Sequence, residues 1–172
     1  MDIHPILIHF PIALLTVYSL MECIRVKKLL KSEAWFYVKA AFLIIGLFGA
    51  YSALSSGSVA EDIYDNPEYN HVVEVHEGWA NSATNIYLVL AIFYVVIWFN
   101  KYYRKLLPKN EYVEKTWRII IKIKDIIFNT PLIWIIAGLG LVTMVVTGAL
   151  GGILVYGKDF DPIMSIIYNL FF

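Results

Sequence analysis

Four histidines stand in the chain as two pairs with one spacing, His4 with His9 and His71 with His76. Imidazole is the commonest metal ligand among side chains and a usual haem-iron ligand. Each pair opens a long apolar run, and ionisable groups inside such runs are functional hypotheses by default. The chemistry to look for is therefore metal or haem ligation. A step of five along a helix moves a side chain about 7.5 Å along the axis and about 140° around it, so both members of a pair cannot aim at one narrow target unless the helix starts late. The histidines then form two ranks, with His4 and His71 at the membrane edge and His9 and His76 deeper.

What lies beneath each histidine separates the ranks. At helical spacing His9 stands over Ala13 and Thr16, and His76 over Ala80 and Ala83, whereas His4 stands over Leu7 and Ile8 and His71 over Glu74 and Val75. Small side chains below a ligand leave room for a planar macrocycle held edgewise between helices, which favours a b-type haem with His9 and His76 as axial ligands. Glu77, Asn81, Tyr18, Tyr51 and Tyr87 are candidates for orienting the imidazoles, since a ligating ring usually donates its other N–H to a nearby acceptor. Glu74 more simply faces the exterior. The rival cofactor is another metal ion, held directly by His4, His9, His71 and His76. Glu68 and His71 have the Glu-x-x-His spacing of di-iron sites, but the apolar runs offer few further carboxylates. Cys23 is the single cysteine, and no Gly-rich phosphate loop or Gly-x-Ser-x-Gly elbow occurs.

The elements that must position these residues are membrane helices. The 172 residues are 59% hydrophobic and 16% aromatic, with a mean hydropathy of +0.65, well above the ~45–50% apolar share of soluble domains. Four stretches, 5–24, 35–57, 75–100 and 132–156, reach the ~20 residues a hydrocarbon core requires. An all-α, integral membrane four-helix bundle forming one domain over 1–172 is expected. Pro11 predicts a kink just past His9, and the glycines of the second and fourth spans predict close helix packing. Residues 111–128 alternate as an amphipathic helix for the cytoplasmic membrane surface, with Lys124 near its apolar side. Asp161-Pro162 starts a short outer C-terminal helix, too short to span.

The net charge is zero, yet the distribution is uneven. The first connection carries Arg25, Lys27, Lys28 and Lys31, and the third is rich in Lys and Arg from Lys101 to Lys124. The second, from Ser58 to Asn70, holds Glu61, Asp62, Asp65 and Glu68 and no basic residue. The positive-inside rule puts the first and third connections in the cytoplasm and both termini outside, in a bacterial inner membrane. No cleavable leader is expected, because no basic segment precedes the first apolar run. The basic residues are interleaved with acidic ones beside lipid, which argues against nucleic acid as a partner.

The run His4-Pro5-Ile6-Leu7-Ile8-His9-Phe10-Pro11-Ile12-Ala13-Leu14-Leu15 resembles the opening signature of a bacterial four-span membrane family catalogued as domain of unknown function two-two-three-one. Gly57 to Glu61, His76-Glu77 and the run from Thr147 to Tyr156 are similar to its later segments. His4, His9 and His76 match the family pattern, and His71 has no place in it. Some members carry a histidine where this chain has Ala149, and some are fused to Rieske-type redox domains, so the resemblance implies a redox role. The function expected is a haem-b electron-transfer subunit rather than a stand-alone enzyme. It would work in the lipid bilayer with membrane or periplasmic redox proteins, and quinone is a further candidate partner. The alternatives are a non-enzymatic assembly subunit and a histidine-rich metal-binding or transport protein.

Overall fold

Each apolar run forms one helix in the computed structural model, which describes residues 4–63 and 70–172. The long helices are α1 (His4–Cys23), α3 (Glu33–Ile63), α4 (Asn70–Tyr102) and α6 (Leu132–Tyr156). All four are long and apolar enough to cross a membrane. A single turn, α2 (Lys27–Leu30), joins the first two, and a 3-10 turn (Arg104–Leu106) precedes α5 (Glu111–Asn129). The last element is α7 (Pro162–Phe171).

Helices α3 and α4 outrun their expected bounds, with 31 and 33 residues. At ~1.5 Å per residue both exceed a hydrocarbon core of ~30 Å, so they are long enough to project beyond it. The backbone at Glu61 and Asp62 continues α3 rather than forming a loop. Asp65 and Glu68 lie outside the described residues.

Local chemistry fixes the other boundaries. Asn110 caps α5, its side-chain oxygen accepting from the Val113 amide at 2.9 Å, and Asp161 caps α7, accepting from Ile163 and Met164 at 2.8 and 3.0 Å. Each cap satisfies amides that the first helical turn leaves unpaired. Gly157 ends α6 at φ 85, a conformation L side chains avoid.

The four long helices form a ring. Helix α1 packs along α3 and α4 along α6, and the two hairpins meet at α3 with α4 and α1 with α6. Helices α1 and α4 are thus diagonally opposed. Close approach is what most of the glycines provide: a Cβ on Gly46 would stand 2.8 Å from Leu15, and one on Gly140 2.9 Å from Tyr87. Helix α1 runs unbroken through Pro11, whose buried ring lies where a Cβ on Gly49 would meet it at 3.1 Å. Leu15, Tyr18, Leu43, Leu47, Tyr87, Leu90 and Tyr94 form the central core.

The two short amphipathic helices close opposite ends. At the basic end, α5 is held by Trp117, which donates to Asn100 at 3.0 Å, by the Arg104–Glu114 pair at 2.6 Å, and by Phe128 against Tyr94. At the histidine end, α7 buries Ile167 among Val72, Leu150 and Ile153 and sets Phe171 edge-on to Trp79.

Candidate cofactor-binding site

Helix α1 starts at His4 and α4 at Asn70, so both histidine pairs are helical throughout and neither converges. Each pair is split between an inward and an exposed position. His4 faces α3, its Nδ1 lying 2.8 Å from the Ser56 hydroxyl. That hydroxyl donates its own hydrogen to the Ala53 carbonyl at 3.0 Å, so Nδ1–H of His4 is the donor and Ser56 Oγ the acceptor. His76 faces α6, its Nδ1 donating to the Thr147 carbonyl at 3.0 Å. A carbonyl can only accept, so Nδ1 carries the hydrogen. With Nδ1–H of His76 spent on that carbonyl, Nε2 is the nitrogen of its ring that would face a metal.

Glycine makes both placements fit. A Cβ on Gly57 would lie 3.3 Å from Cε1 of His4, and a Cβ on Gly151 3.2 Å from Cε1 of His76. Each imidazole therefore lies against the backbone of the neighbouring helix, on a surface a side chain would take. The two rings sit at the same end of the bundle, on diagonal helices. Two imidazoles from separate helices, each with its Nδ1–H tied, are a donor set that suits haem iron. Among the described residues, no three His, Cys, Asp or Glu side chains converge as a metal-binding group.

The other expected site residues lie elsewhere. His9 and Ala13 are exposed on α1, and Thr16 turns its hydroxyl to the Met144 sulfur at 3.9 Å. Ala80 is half-buried and Ala83 is packed in the bundle. His71 is exposed at the surface, 3.6 Å from Glu74 and edge-on to Phe172 at 5.2 Å. Glu77 and Asn81 point away from the bundle; the ring partners they were expected to supply are the Thr147 carbonyl and the Ser56 hydroxyl. Tyr18 and Tyr87 are buried deeper in the core, and Tyr51 is exposed. If His76 is a haem ligand, replacing Gly151 by valine should push it off α6 and lower haem content while leaving insertion in the membrane intact. Haem measured per purified chain checks this, and the same valine at exposed Gly148, where a Cβ meets nothing within 4 Å, is the control that should change little.

The sequence profile of a family described as "Predicted membrane protein (DUF2231)" matches residues 1–160. The chain belongs to that family. Its match runs through α5, which the quoted motifs do not reach, and stops short of α7. Among curated proteins and among solved structures, no match to the chain is found.

One feature of this DUF2231 chain has no counterpart in the expected site. In the half of the bundle away from the histidines, Lys39 Nζ lies 2.8 Å from Glu22 Oε2, with only 8% and 2% of the two side chains exposed. The Tyr94 hydroxyl donates to the other carboxylate oxygen, Glu22 Oε1. The Lys39 ammonium also stands over the Tyr94 ring, and Tyr18 packs edge-on to Tyr94. The signal was available: α1 and α3 each carry one lone charge within an apolar run, of opposite sign, and such charges pair.

Proposed function

We propose that the protein is a haem-b-binding electron-transfer subunit whose iron is held between His4 of α1 and His76 of α4. The single observation carrying this reading is the matched pair of imidazoles, each tethered through Nδ1 to the next helix and seated over a glycine. Haem b bound there would supply one-electron redox chemistry.

The chain's own residues do the positioning. The Thr147 carbonyl and the Ser56 hydroxyl hold the rings and raise the basicity of the nitrogens that face the iron. Helix α7, with Ile167 and Phe171 packed on α4 and α6, limits water at this end. The opposite half of the core is filled by Leu43, Leu90, Tyr87 and Tyr94, so a haem held by the two histidines would exchange electrons with a partner at their end. A periplasmic or membrane redox subunit, or a quinone, has the required chemistry.

The proposed orientation rests on charge: Lys158 is the one basic residue among the described loops and tails of the histidine end, and the positive-inside rule favours that end outside a bacterial inner membrane. In a Cys23→Ser background, an Asp159→Cys protein should react with an impermeant thiol reagent in cells with a permeabilised outer membrane. A Lys109→Cys protein should react only after lysis. Labelling in the reverse sense would put the site on the cytoplasmic face.

The proposal is tested by extracting and quantifying haem and metals from protein purified from haem-supplied cells. One haem b per chain supports it. Stoichiometric copper or zinc without haem would favour a metal-binding protein, and neither would favour an assembly subunit; both outcomes overturn it.

A further inference from the structure

The outward face of α4 changes character along its length. Glu77, Gly78, Asn81, Ser82 and Asn85 are all exposed and share one helix face, in the half of α4 nearer the histidines. Further along the same face come Val89, Ile92 and Val95, the apolar residues that lipid favours. The outward faces of the other spans are mostly apolar, with Phe10 and Leu20 on α1, Ile45 and Phe48 on α3, and Leu139 and Val142 on α6. Their exposed polar groups in the histidine half, among them His9 on α1 and Ser52 and Ser55 on α3, include no carboxamide, and the two serines return their hydroxyls to the Phe48 and Tyr51 carbonyls.

Two independent observations show that this chain leaves part of the polar stripe unused. First, Asn85 lies near the middle of α4, and its carboxamide makes no hydrogen bond among the described residues. Asn81 spends one N–H on the Glu77 carbonyl at 3.0 Å, which leaves its own carbonyl oxygen over. Hydrocarbon offers such groups nothing, so an amide there needs a protein partner. Second, a Cβ on Gly78 would meet nothing within 4 Å, so no internal contact requires a glycine at a helical position where it weakens the helix. With Ser82, which returns its hydroxyl to the Gly78 carbonyl at 2.8 Å, it forms a small-x-x-x-small step of the kind that lets two membrane helices approach closely.

We infer that this face binds α4 of a second copy of the chain, the two helices running parallel about a two-fold axis along the membrane normal. Copies inserted in the same sense present parallel α4 helices, and a two-fold axis sets each residue against or beside its own counterpart. A carboxamide is both donor and acceptor, so it is self-complementary in that arrangement. Asn85 and Asn81 of one copy bond their equivalents in the other, and Gly78 and Ser82 let the backbones come near enough. The inference does not depend on haem.

The test is disulfide cross-linking in native membranes, with single cysteines placed in a Cys23→Ser protein. Ser82→Cys should give a covalent dimer under mild oxidation, and Val145→Cys, exposed on α6, should not. In vesicles of neutral phospholipid, Förster transfer between labelled copies should report a dimer, and Asn85→Leu should raise its dissociation constant about tenfold, the loss of one or two interhelical hydrogen bonds. Leucine faces outward here, so folding is preserved; native circular dichroism in that variant verifies it. Equal cross-linking at the two positions, an unchanged dissociation constant, or a different protein cross-linked through Ser82→Cys would each overturn the inference.

Discussion

In a His76→Ala protein, bound haem should fall by at least about tenfold, because one of the two proposed iron ligands is gone and the other cannot hold the group alone. His4→Ala should do the same. His9→Ala and His71→Ala should each keep most of the wild-type content, since both side chains are exposed and neither is tied to the His4–His76 pair. Haem per chain, measured after purification at equal expression, gives the comparison. A His9→Ala protein that loses haem while His4→Ala retains it would shift the ligand to the deeper rank on α1.

Removing either partner of the buried ion pair should cost the fold about 3–5 kcal/mol, because the survivor is left as an uncompensated charge among apolar side chains. Lys39→Met strands the Glu22 carboxylate, which keeps only the Tyr94 hydroxyl as donor. Glu22→Met strands the Lys39 ammonium against the Tyr94 ring. Replacing both together should recover most of the loss, since two well-packed apolar residues restore neutrality. Denaturant unfolding in detergent micelles, run as a double-mutant cycle, measures it. Additive losses would mean the charges are solvated independently, against the burial described here.

The elements were legible, and the side-chain placement at the histidine end was only half so. Apolar runs of the right length mark the four spans, Asp161 marks the start of α7, and the alternation over 111–128 marks a surface helix. The helix ends beyond the membrane were not legible, because hydropathy stops reporting where helices project into water. His76 is one of the two histidines that face a neighbouring helix; on α1 the inward one is His4 and not the His9 that the small residues suggested. Small residues beneath His9 suggested a slot, but a small residue is equally suited to an outward face, and Ala13 is exposed. The better guide was the spacing of His4, Pro11 and Tyr18, seven apart: Pro11 and Tyr18 are buried, which turns His4 toward the neighbouring helices. The acceptor for His76 was beyond reach, since it is the main-chain carbonyl of Thr147, and any residue carries one.

The most direct test of the account is the reduced-minus-oxidised absorption spectrum of the purified protein beside its His4→Met and His9→Met forms. The account predicts the bands of a six-coordinate b-type haem in the wild type. Methionine at His4 should move or diminish them by changing an axial ligand, and methionine at His9 should leave them in place. A wild-type spectrum without haem bands, or bands that respond to His9 and ignore His4, would contradict it.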